Sequence, residues 1–205
     1  MRTQTLGEEI ANSVTHGIGF LLSIAGLVIL IVTSLGNARA VASFSIFGTT
    51  LVMLYLASTL YHSISHDGAK RILEIFDHNS IYFLIAGSYT PIALLYLRGA
   101  WGWTIFALVW GIAIVGIFLC SFANGRFQLF RVVSYIAMGW LIVIAINPLK
   151  ESCSASFILW LLMGGLSYTF GTIFYAWKKL PYHHTIWHLF VLGGSFAHFF
   201  GMLLF

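Results

Sequence analysis

The chain has 205 residues, of which 60% are hydrophobic and only 8% charged, against roughly 25% charged in a typical soluble domain. That balance excludes an ordinary water-soluble fold, because so few charges cannot cover its surface. The formal charge of +4 comes from ten Lys and Arg scattered between apolar runs, with no basic stripe, which argues against a nucleic-acid partner. Cys120 and Cys153 make neither a disulfide framework nor a CxxC motif.

About 20 apolar residues are needed to cross roughly 30 Å of hydrocarbon as a helix. Seven segments meet that length. The first, 14–35, follows Glu8 and Glu9 and is too long for the apolar core of a signal peptide. It is therefore expected as a retained span. Glu9, Asn12 and His16 share one helical face at its entry. The second, 41–64, ends on Ser58-x-x-x-His62. The third, 76–97, opens on Asp77 and contains Pro91, a candidate kink. The fourth and fifth, 101–122 and 129–147, and the sixth, 155–177, carry few polar residues. The seventh, 184–204, opens on His184-x-x-x-His188. The expected fold is an all-α integral membrane protein, one seven-helix domain covering residues 1–205, located in the cell membrane as a multi-pass protein.

Orientation follows from Lys and Arg in the loops. The N-terminal side carries Arg2, Lys70, Arg71, Arg126, Arg131, Lys178 and Lys179. The other side carries Arg39, Arg98 and Lys150. The excess predicts a cytoplasmic N-terminus and an external C-terminus, with Cys120 near the inner face and Cys153 outside.

Eight histidines stand out in so apolar a chain: His16, His62, His66, His78, His183, His184, His188 and His198. All but His198 fall near the cytoplasmic ends of spans or in cytoplasmic loops. A single histidine there is ordinarily an interfacial side chain. The grouping says more. His184 and His188 lie on one face, one turn apart, and His62 and Asp77 fall at the same depth. A carboxylate at the hydrocarbon edge is costly unless paired or hydrated. Three imidazoles with a nearby carboxylate suit Zn²⁺, and three protein ligands plus water is the pattern of a catalytic rather than a closed structural site. Copper or nickel would also suit three imidazoles. The arrangement requires the second, third and seventh spans to be neighbours.

These residues resemble the hemolysin III family, the bacterial branch of the progestin and adipoQ receptor superfamily. The resemblance rests on Glu9-x-x-Asn12-x-x-x-His16, Ser58-x-x-x-His62, Asp77 in Phe76-Asp77-His78-Asn79-Ser80, Gly87-Ser88-Tyr89-Thr90-Pro91, His184-x-x-x-His188 and Phe196-Ala197-His198-Phe199. It implies a seven-helix bundle with zinc near the cytoplasmic face. His62, His184 and His188 match the family's zinc ligands, Asp77 its carboxylate that holds a water at the metal, and Ser58 a serine beside it. The superfamily is related to alkaline ceramidases, and its bacterial members are associated with cytolysis and membrane lipid homeostasis.

The functional expectation is a zinc-dependent hydrolase of a lipid amide or ester at the inner leaflet, a ceramidase-like amidohydrolase. Asp77 and Ser58 are the candidate catalytic residues, His62, His184 and His188 the metal ligands, and Glu9, Asn12 and His16 a polar wall. Membrane lipid is the partner this reading implies. A non-enzymatic regulator of membrane lipid homeostasis with a structural zinc is a second reading, and a hemolysin-like membrane-permeabilising protein a third. No span has a mid-membrane lysine of the kind a retinal Schiff base needs.

Overall fold

The computed structural model describes residues 4–97, 99–121 and 128–204. Arg2, Arg98 and Arg126, used above for orientation, lie outside these. Seven helices among the described residues are long and apolar enough to cross a membrane. In chain order the elements are α1 (Leu6–Thr33), α2 (Ala38–Ser63), α3 (Asp67–Pro91), α4 (Gly99–Ser121), α5 (Gln128–Gly139), α6 (Ile146–Ser152), α7 (Ala155–Ala176) and α8 (His183–Leu203). The fifth span is formed by α5 and α6 together.

Two helices start earlier than hydropathy predicts. α1 begins at Leu6 rather than near residue 14 because Thr5 and Glu8 form a capping box. The Glu8 N–H donates to Thr5 Oγ1 at 3.3 Å, and the Thr5 N–H donates to Glu8 Oε2 at 2.8 Å. That exchange satisfies two donors the helix end would otherwise leave bare. α3 begins at Asp67 rather than 76, with the His66 ring as N-cap acceptor for the Ala69 N–H at 3.3 Å. In both cases the added turns are polar, so a hydropathy ruler does not count them.

α1 is amphipathic in the reverse sense of a soluble helix. Its buried face is Glu8, Asn12, His16, Gly19, Ser23 and Leu30. Its exposed face carries Ile10, Val14, Ile18, Leu21 and Val28. Lipid favours the apolar face outward, and small or polar residues let helices approach closely. α1 packs against both α2 and α8, and α2 in turn packs against α3. α3 is the most buried span and forms the centre of the bundle.

Pro91 lacks the N–H that would continue the ladder, and a π-helical turn, Ile92–Leu97, follows it. Gly99 then adopts φ +51°, a left-handed conformation that glycine enters without steric cost. The fifth span is broken where an unbroken segment over 129–147 is expected. α5 stops at Gly139, a 3-10 turn covers Leu141–Ala145, and α6 follows. The Tyr89 hydroxyl of α3 spans the break. It donates to the Gly139 carbonyl at 2.8 Å and accepts the Ile142 N–H at 2.9 Å. Pro148 falls in the first turn of α6, where a missing N–H is harmless. Cys120 and Cys153 are both free, one in the last turn of α4 and one just after α6, at opposite ends of the bundle.

Candidate metal centre

The N-terminus of α1, the C-terminus of α2, the first turns of α3 and the N-terminus of α8 meet at one end of the bundle. α2 brings Ser58 and His62, both buried, and α8 brings His184 and His188. One ligand atom from each of His62, His184 and His188 lies within 4.8 Å of the others. The His184 and His188 ring centroids are 4.6 Å apart, and His62 is 5.1 and 5.2 Å from them. This is a group that can hold a metal ion.

The outer edges of two rings are already engaged. The His62 Nδ1–H donates to Glu9 Oε2 at 2.6 Å, and Glu9 Oε1 accepts from Lys70 Nζ at 2.7 Å. The His188 Nδ1–H donates to the Asn12 carbonyl at 3.2 Å, with Thr15 Oγ1 at 3.3 Å. Thr15 is an acceptor there, since its own hydroxyl donates to the Ala11 and Asn12 carbonyls. Holding the proton on Nδ1 leaves the Nε2 lone pair for a metal. His62 Nε2 is buried without any hydrogen-bond partner, as suits a nitrogen that would bind a metal. The donor set thus fits a divalent transition metal.

α1 therefore does more than wall the site. Glu8 Oε1 accepts the Tyr182 N–H at 2.9 Å. Tyr182 is the N-cap of α8 and has φ +55°, a left-handed conformation costing a non-glycine residue about 1 kcal/mol. Asn12 Oδ1 accepts from Thr185 Oγ1 at 2.6 Å, and its Nδ2 donates to Gln4 Oε1 at 2.8 Å. His16, buried, stacks on His188 with centroids 3.4 Å apart and meets the Tyr55 ring edge-on at 5.0 Å. Neither His16 nitrogen has a hydrogen-bond partner.

Asp77 is half-buried on α3 and faces both His62 and Ser58. The Ser58 Oγ is buried beside the Asp77 carboxylate. Asp77, Ser58, His16, His184 and His188 line one end of a cavity that continues between the helices to Ile92, Leu161 and His198. Its walls are mainly apolar. From Asp77 to Ile92 along α3 is about 22 Å at 1.5 Å per residue, most of the hydrocarbon thickness. Arg131 lines its mouth. Lys178, between α7 and α8, lies 4.4 Å from the Tyr175 ring. Burial pulls its ammonium below the ordinary lysine range, and the Arg131 charge adds to this.

All eight residues singled out by sequence meet at this end of the bundle. The requirement that the second, third and seventh spans be neighbours is met through α1, which packs between α2 and α8. Other histidines have structural posts. His66 caps α3, and His183 Nδ1–H donates to the Phe174 carbonyl at 3.1 Å. Sequence reasoning did not single out Glu8, Thr15, Lys70 and Thr185 as site residues. Glu8 had a signal, since Thr5-x-x-Glu8 is a capping-box pattern.

Known proteins are similar to the chain over nearly its whole length. The family described as Haemolysin-III related matches residues 4–199. The chain is 52% identical over 203 residues to the Hemolysin-3 homolog of Bacillus subtilis (strain 168), covering 98% of this chain and 95% of that protein. It is 49% identical over 205 residues to Hemolysin-3 of Bacillus cereus, with 99% and 94% covered. A more distant relative is the Monocyte to macrophage differentiation factor of Homo sapiens, 25% identical over 204 residues, with 97% and 84% covered. The whole-length matches and the seven apolar helices lead to one conclusion: the chain is a multi-pass membrane protein and belongs to the haemolysin III family, within the progestin and adipoQ receptor superfamily.

Proposed function

We propose that the protein is a zinc-dependent hydrolase of a lipid amide or ester, acting at the inner leaflet of the cell membrane. The observation that carries the reading is the setting of the three histidines. The outer edges of His62 and His188 are fixed by Glu9 and by Asn12 with Thr15. On the cavity side stand Asp77 and Ser58, a carboxylate and a hydroxyl, while His16 stacks on His188 outside the cluster of three ligand atoms. Structural zinc sites are closed by four protein ligands, whereas catalytic ones keep a position open.

His62, His184 and His188 would hold the ion. Zinc held there would supply Lewis acidity toward a carbonyl and a water. Asp77 accepts the proton of the attacking water and returns it to the leaving nitrogen or oxygen. The water oxygen bonds to the acyl carbon as the C–N or C–O bond breaks. Ser58, beside the Asp77 carboxylate, orients the water or the carboxylate. It is not the nucleophile, because the nitrogens of His62 are committed to Glu9 and to the ligand cluster. The apolar cavity takes the acyl chain, and Arg131 with Lys178 attracts an anionic headgroup or the carboxylate product. Among the described residues, Lys70, Arg71, Arg131, Lys178 and Lys179 lie at the site end, against Arg39 and Lys150 at the other, which supports a cytoplasmic N-terminus.

The test is purified protein incubated with ceramides and other long-chain acyl amides, assayed for free fatty acid. Release by the parent is expected, with Asp77→Asn losing it while keeping about one zinc per chain. Fatty acid release by His188→Ala equal to the parent would sink the proposal. A second reading, a lipid-homeostasis regulator with a structural zinc, is favoured by the ligands coming from α2 and α8, which a metal would tie together. Under that reading Asp77→Asn leaves function intact and only metal removal abolishes it. Membrane permeabilisation, suggested by the name of the Bacillus cereus relative, predicts liposome leakage above that of an unrelated seven-helix control.

A further inference from the structure

Among the described residues, buried polar atoms without a partner occur on His16, Ser43, Ser58, His62 and His198. Those of His16, Ser58 and His62 belong to the metal end, and Ser43 is buried elsewhere on α2. His198 Nδ1 is the remaining one. His198 lies on α8 ten positions beyond His188, hence about 15 Å deeper at 1.5 Å per residue. The two rings line the same cavity.

The polar groups along the walls between them are engaged by protein. The Tyr168 hydroxyl is 3.0 Å from Ser195 Oγ, the Tyr135 hydroxyl donates to the His78 carbonyl at 2.8 Å, and the Tyr89 hydroxyl bridges Gly139 and Ile142. His198 differs. The Cδ2–Nε2 edge of its ring lies on Gly164, where a side-chain carbon would collide with it, and the ring interacts with the Leu161 backbone. Tyr168 meets it edge-on at 5.5 Å. The imidazole is thus held in place and only half-buried, with Nδ1 unanswered. A ring nitrogen left without a partner at this depth is costly in a membrane protein and points to a functional contact.

We infer that His198 is a second polar contact for the ligand, and that the substrate is a long-chain lipid bearing a hydroxyl about 15 Å from the hydrolysed linkage. A hydroxyl both donates and accepts, so it satisfies either neutral tautomer of the imidazole. A carbonyl serves only one tautomer and a plain methylene chain serves neither. The inference rests on the reading of the cavity as an acyl channel ending at the metal, and its test separates the two.

The probes are stearate, 12-hydroxystearate, whose hydroxyl sits far down the chain, and 2-hydroxystearate, whose hydroxyl sits beside the carboxylate. Each is titrated against a fluorescent fatty acid on the purified full-length protein in nanodiscs. The parent is expected to bind 12-hydroxystearate about tenfold more tightly than stearate and to show no such gain for 2-hydroxystearate. His198→Phe is expected to reduce the preference below about twofold, and His198→Asn to retain part of it. A packing role for His198 would change all three affinities together. Equal affinity of the parent for stearate and 12-hydroxystearate overturns the subsite and leaves the acyl channel standing. A preference surviving in His198→Phe overturns the assignment to His198. Binding of none of the three overturns both. The parent's own affinity ratio needs no variant, so a poorly folding substitution leaves the test intact.

Discussion

Glu9 uses both carboxylate oxygens, one on His62 Nδ1 at 2.6 Å and one on Lys70 Nζ at 2.7 Å. The first contact sets which nitrogen of His62 carries the proton, and the second holds the carboxylate against rotation. Outer-shell partners of this kind are typically worth 10–100-fold in metal affinity. Glu9→Gln keeps an acceptor for His62 but loses the charge and the Lys70 pair. It is expected to weaken zinc binding by about tenfold, and Glu9→Ala by nearer a hundredfold, read by competition with a chelator of known affinity. Unchanged affinity in both variants would mean that packing alone orients His62. The pairing of His184 with His188 was legible from spacing, because i, i+4 histidines share a helix face. Lys70 was not. It falls in a stretch expected to be a connection, and only the polar extension of α3 back to Asp67 places it beside Glu9.

At the scale of the element, the break between α5 and α6 depends on another helix. The Gly139 carbonyl and Ile142 N–H are freed where the α-helical ladder stops, and both are answered by the Tyr89 hydroxyl. In hydrocarbon no water replaces it. Tyr89→Phe keeps the ring and removes only the oxygen, leaving two backbone groups bare. The expected cost is about 1–3 kcal/mol, measured as a lower denaturant midpoint in detergent with an unchanged slope. A variant as stable as the parent would show that the break closes into continuous helix. Hydropathy cannot see this feature. The run from Leu129 to Asn147 is mainly apolar, and what interrupts it is a tertiary contact from α3. The turn after Pro91 was legible as a kink because its cause is local, a missing N–H. α1 lies between these cases. Its polar face was visible at Glu9, Asn12 and His16, but its role as the strut joining α2 to α8 needed the packing.

For the whole molecule the question is direction. The bundle has one end dense in chemistry, with His62, His184, His188, Asp77 and most of the described cationic side chains, while Arg39 and Lys150 lie at the other. Loops rich in Lys and Arg stay on the cytoplasmic side, so the metal site should open inward and Lys150, exposed in α6, should face out. The site's dependence on Lys70 and its setting beside Arg131 and Lys178 make the same end basic for a second reason, attraction to acidic headgroups of the inner leaflet. The two reasons reinforce each other, because charges that serve the site also fix its side of the membrane. On a background with Cys120 and Cys153 replaced by Ala, Lys150→Cys is expected to react with a membrane-impermeant maleimide in intact cells. Lys179→Cys, exposed between α7 and α8, is expected to react only after the membrane is opened. The opposite labelling pattern would turn the molecule over, place the metal site outside and require the proposed hydrolysis to act on outer-leaflet lipid.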